Sequence, residues 1–209
     1  MNKATSRHVG LNLGASHAQA HASAESPLFG FWVFLMSDAV IFTLLFAIYV
    51  SMRHATAGGP EPHEIFTLRS TFVETLVLLL SSFSFGMASL SMKYHTANKT
   101  RLLGWLLLTL LLGLAFLGLE LHDFYTMAAL GAVPQRSGFL SAFFALVPTH
   151  GIHVASACVW LIVMMIQIVV FGINSAVMTR IMRLAVFWHF LDIIWIGIFS
   201  VVYLQGLIT

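Results

Sequence analysis

The stretch Phe187-Trp188-His189-Phe190-Leu191-Asp192-Ile193-Ile194-Trp195 stands inside an apolar run from about Leu184 to Leu207. Roughly 20 apolar residues at 1.5 Å each cover the hydrocarbon of a bilayer, so this run is long enough to cross one. A histidine and an aspartate therefore fall within a membrane span. They are three residues apart and share a helix face. Trp188, Asp192, Trp195 and Phe199 follow one another at helical spacing, so one side is aromatic and acidic and the other aliphatic. An aspartate turned to lipid costs about 2.5–3.5 kcal/mol on insertion scales. The aromatic and acidic face is expected to look at protein, and the rest of the chain should supply its partner.

Composition agrees with that reading. Of 209 residues, 59% are hydrophobic and only 9% charged, against about 25% charged in soluble domains. The chain reads as all-α, a polytopic membrane bundle of five transmembrane helices in one domain. A net charge of +2 says little about partners. No basic cluster with interleaved aromatics stands outside the spans, so nucleic acid is not expected as a partner. Cys158 is the single cysteine and lies in a span, which leaves no intrachain disulfide. Residues 1–26 have no apolar core of signal-peptide length, so the first span is expected to act as its own insertion signal.

In chain order, residues 1–26 are rich in Ala, Ser and His and read as a disordered cytoplasmic tail. Ser26-Pro27 fits a helix start, a capping hydroxyl followed by proline. The spans are expected at about 28–52, 68–92, 102–130, 137–171 and 179–207. Asp38 is the only charge inside the first. Gly58-Gly59-Pro60 and Pro62 separate the first two as turns. Ser82 and Gly86 have the small-xxx-small spacing that lets membrane helices approach closely. Pro148 should kink the fourth span. Lys3, Arg7, Lys93, Lys99, Arg101, Arg180 and Arg183 fall on one side and Arg53, Arg69 and Arg136 on the other. This bias places the N-terminus in the cytoplasm and the C-terminus outside, in the periplasm.

Counting residues along each helix predicts two polar layers. Asp38, His150, His153, His189 and Asp192 each fall roughly 15–25 Å in from a helix end, near mid-membrane. Glu74 and Glu120 fall together nearer the outer side. Two carboxylates brought together in low dielectric cannot both stay ionised. Glu74 has two readings. Thr71-x-x-Glu74 matches a capping box if the helix starts at Thr71; if it starts at Leu68 or earlier, Glu74 is a buried carboxyl. His150, His153, His189 and Asp192 read as a hydrogen-bonded network between helices. Three histidines could instead bind copper or zinc. A proton or solute transporter using Asp38, Glu74, Glu120 and Asp192 is a third reading. Arg69 and Arg136 read as interface anchors. No hydrolase elbow, zinc-protease pair, phosphate loop or dinucleotide fingerprint occurs.

Several longer motifs then carry a resemblance. They are Phe31-Trp32-Val33-Phe34-Leu35-Met36-Ser37-Asp38, Val73-Glu74-Thr75, Arg136-Ser137-Gly138-Phe139-Leu140-Ser141-Ala142-Phe143-Phe144, Thr149-His150-Gly151-Ile152-His153-Val154, and the opening stretch itself. Together they resemble subunit III of haem–copper terminal oxidases, above all the bo-type ubiquinol oxidases, from Leu28 onward. Only a short tail precedes the first span, which favours the five-helix quinol oxidase form over the seven-helix one. The resemblance implies an accessory subunit, itself without a redox centre or metal, in a bacterial inner-membrane complex. Haem b, haem o and copper are then expected in subunit I, with ubiquinol as the substrate of the complex. Subunits I, II and IV and membrane phospholipids are the implied partners. Glu74 matches the family's carbodiimide-reactive membrane carboxyl, which favours the buried reading.

Overall fold

The structure is a computed structural model. It describes the backbone of residues 15–58, 68–93 and 99–208, and the side chains of 29–58, 69–92 and 99–206. The chain divides into two compact units, Met1–Ala39 and Val40–Thr209.

The first unit carries the start of α1, Ala15–Met52. This helix begins well before the expected Ser26-Pro27 start. The reason lies in the alanines at 15, 18, 20, 22 and 24, the strongest helix formers. Pro27 removes one hydrogen bond there and does not end the helix. Residues 1–14 of the expected tail lie outside the described residues.

The second unit continues α1 from Val40 and adds α2 (Leu68–Lys93), α3 (Lys99–Ala129), α4 (Gly138–Phe171) and α5 (Ser175–Ile198). A π-helical segment, Phe199–Leu204, and a last turn, α6 (Gln205–Ile208), follow. Among the described residues five helices are long and apolar enough to cross a membrane, and no strand occurs. Their ends follow local chemistry. The Ser137 hydroxyl accepts from the Leu140 N–H at 3.1 Å and caps α4. The Asn174 side chain accepts from the Val177 N–H at 2.9 Å and caps α5. Gly131 ends α3 and Gly172 ends α4, at φ of 75° and 72°, where a side chain would be strained. Residues 59–67 and 94–98, including part of the expected turn and basic loop, lie outside the described residues.

Helices α2 and α3 pack together, as do α3 and α4, α4 and α5, and α5 and α2, so these four close a ring. The later half of α1 lies along α4 and α5. Phe42 meets the His153 ring at 5.2 Å and Tyr49 meets Phe139 at 6.0 Å. The Phe46 ring covers Gly197, where any Cβ would stand 3.1 Å from it. Helix α4 runs through Pro148 without a break.

Lipid tails are as apolar as leucine, so helices in a membrane are held by close packing and interhelical hydrogen bonds. The close approaches occur at Gly113, Gly151 and Gly197, not where the sequence places them. A Cβ on Gly86 would meet nothing within 4 Å, so the Ser82/Gly86 pair makes no tight crossing within this chain.

Candidate functional site

The polar side chains gather inside the ring in three groups. The first joins α5 to α2. The Trp188 indole N–H donates to the Ser81 hydroxyl at 3.1 Å, and the Trp195 N–H donates to the Thr75 hydroxyl at 3.1 Å. Ser81 and Thr75 in turn donate to the Leu78 and Thr71 carbonyls of their own helix. Rising numbers on α5 meet falling numbers on α2, so the two helices run antiparallel. The Trp188 ring lies over Gly113 of α3, where a Cβ would stand 2.8 Å from it, and beside Cys158 of α4. Trp188 and Trp195 are both buried. The aromatic face of the last span does look at protein, as its aspartate requires.

The second group surrounds His150. Its ring is fully buried, stacked on Trp195 at 5.4 Å and met edge-on by Phe116 at 5.9 Å. Neither ring nitrogen has a hydrogen-bond partner among the described residues. His153 contacts the Thr149 carbonyl of its own helix at 2.7 Å. His150 therefore joins the bundle by ring packing alone among the described residues. Aromatic rings surround His150 on both sides, and His153 also meets the Phe42 ring of α1. His189 reaches across helices. Its Nδ1 lies 2.7 Å from the Ser82 hydroxyl of α2 and 3.5 Å from the Asp192 carboxylate. Among the described residues no three His, Cys, Asp or Glu side chains come together as a metal site.

The third group is acidic. Helix α2 starts at Leu68, so Glu74 stands in its second turn and is 1% exposed. That burial selects the carboxyl reading over the capping box. Glu120 of α3 is also buried. Its carboxylate lies flat against Gly151 of α4, where a Cβ would stand 2.6 Å from Oε2. Glu74, Glu120 and Asp123 share one electrostatic neighbourhood with Tyr203. Asp123 accepts from the Ser70 hydroxyl at 2.8 Å. The π-helical segment carries Tyr203, which packs at 6.2 Å from both Phe143 and Trp195. Apart from these groups, Asp38 of the first unit is buried. Arg69 and Arg136 are exposed, and Arg136 donates to the Gly131 carbonyl at 3.2 Å.

Sequence reasoning missed Ser81, Thr75, Gly113, Gly151, Asp123 and Tyr203. Ser81 and Thr75 had a faint signal: they lie six apart, close to the seven between Trp188 and Trp195. Gly151 and Gly113 had none, because a glycine's role depends on what another helix brings against it.

Acids and indoles turned inward within a ring of apolar helices define an integral membrane protein whose polar residues serve its interior. Comparison with known proteins makes that class specific. Residues 11–207 match the family described as cytochrome c oxidase subunit III, and the chain belongs to that family. It is 47% identical, over 93% of its length and 92% of the relative's, to the cytochrome bo(3) ubiquinol oxidase subunit 3 of Pseudomonas aeruginosa. It is 48% identical to the protein of the same name from Pseudomonas putida, over 90% of each chain. The quinol oxidase subunit 3 of Bacillus subtilis is 38% identical over 93% of this chain and 96% of its own.

Proposed function

We propose that this chain is the accessory subunit III of a proton-pumping, bo-type ubiquinol oxidase in a bacterial inner membrane. The complex oxidises ubiquinol and reduces oxygen to water. In this reading the chain's N-terminus is cytoplasmic and its C-terminus periplasmic. Subunit I holds haem b, haem o and copper, and subunits II and IV complete the assembly. The chain steadies subunit I, binds phospholipid and supports oxygen access or proton uptake.

The observation that carries the reading is the near-full-length identity to proteins named as subunit 3 of such oxidases. The site supports it. His150 stacks on Trp195 and His189 meets Ser82, which supports a structural part for both. The chain's own contribution is to hold carboxyls within the bundle. Glu74, in that reading, is the carbodiimide-reactive group.

The test is capture of the tagged chain from detergent-solubilised membranes, followed by a reduced-minus-oxidised haem spectrum and identification of the captured subunits. A haem-bearing oxidase subunit I is the expected companion. Capture without haem would overturn the reading. So would stoichiometric metal in the isolated chain, or proton or solute movement by the chain alone in liposomes.

A further inference from the structure

His189 stands midway along a span of 30 residues, yet 45% of its side chain is exposed. Its Nδ1 is engaged by Ser82 and lies near Asp192. Its Nε2 has no partner among the described residues. Asp192 beside it is buried, and neither carboxylate oxygen has a hydrogen bond among the described residues. Lipid tails offer nothing to such a pair, and ionisable groups at this depth face protein or a water-filled cavity.

One to two turns away, a groove lies between the same two helices, α2 and α5. Its volume is about 390 Å³, and Gly86, Ser89, Leu90, Met178 and Met182 line it. Gly86 lies one turn from Ser82 on α2, and Met182 two turns from His189 on α5. Leu90 and Met182 are exposed. A groove of about 500 Å³ also lies between α3 and α4, but the residues lining it, among them Leu107, Met165, Ile166 and Val169, include no ionisable side chain; Leu111, Leu114, Val159 and Val170 are exposed on the same helices, which suits lipid.

We infer that the α2–α5 seam is the face on which this chain docks, against a membrane-spanning helix of another subunit. That helix presents a hydrogen-bonding group to His189 at mid-depth and an apolar side chain to the Gly86 groove. The inference rests on the chain being part of a larger complex. A second copy of the chain is the disfavoured occupant, because the relatives are named as one subunit of a mixed assembly.

The experiment places a photoreactive benzoylphenylalanine at Leu90 or Met182, and for comparison at Val159 or Val170, in the intact membrane complex. Irradiation should join the first two positions to another subunit of the haem-bearing complex and the comparison positions to lipid alone. Gly86→Trp and His189→Leu should each cut captured haem per chain by at least about tenfold, the loss expected of an interface anchor. Gly86→Trp starts from open space, so it tests the groove without disturbing the chain's own packing. Gly104→Trp, which fills the α3–α4 groove instead, should leave capture unchanged. Adducts of doubled chain mass, lipid adducts only from Leu90 and Met182, or full haem capture by both variants would overturn the inference. If the unaltered chain captures no haem at all, the function proposed above fails with it. If it captures haem but cross-links from another face, only the docking surface fails.

Discussion

At the scale of single residues, Gly151 and Glu120 form a matched pair. A carboxylate rests where a Cβ would otherwise stand, 2.6 Å from Oε2. Gly151→Ala therefore must displace Glu120, and overpacking a close-packed interior costs about 1–3 kcal/mol. The expected outcome is a lower thermal midpoint for the purified complex. Combining it with Glu120→Ala should recover part of that loss, because contacting residues are not additive; additive losses in a double-mutant cycle would refute the contact. Glu74 permits a second prediction. Glu74→Gln keeps the shape and removes the acid, so assembly should persist while carbodiimide labelling of this chain disappears. Mass mapping of the labelled peptide decides it, and label persisting at another carboxyl would refute the assignment.

At the scale of helices, α5 is held to its neighbours by two indoles. Each donates one hydrogen bond to α2, worth about 0.6 kcal/mol on average inside membranes. Trp188 also fills the space over Gly113. Ser81→Ala removes the acceptor of the Trp188 bond and leaves the ring in place, so it should cost little more than that bond. Gly113→Val drives a branched side chain into the Trp188 ring, and should lower thermal stability by about 1–3 kcal/mol. Comparing the two melting curves tests whether packing or hydrogen bonding dominates this crossing. A larger loss from Ser81→Ala would reverse the ranking. The sequence named the aromatic stripe on α5 but not Ser81, Thr75 or Gly113, which give it a partner on α2 and α3.

At the scale of the whole molecule, the orientation in the proposed function rests on the basic loops. With Cys158→Ser as background, Asn98→Cys should react with an impermeant thiol reagent only from the cytoplasmic side. Thr56→Cys should react only from the periplasmic side. The opposite pattern in sealed spheroplasts would invert the topology.

The sequence by itself determined the five spans, the inward turn of Trp188, Trp195 and Asp192, and the family. Those follow from apolar length, from helical spacing and from the cost of polar groups in lipid, all of which are properties of a single helix. Only the tertiary structure decided that Glu74 is a buried acid, that His150 is enclosed by Trp195 and Phe116, and that Ser82 is the nearer partner of His189. It also placed the close crossings at Gly113 and Gly151 instead of Gly86. Each of these depends on what a second helix brings within a few ångströms, and spacing along one helix carries no record of its neighbour.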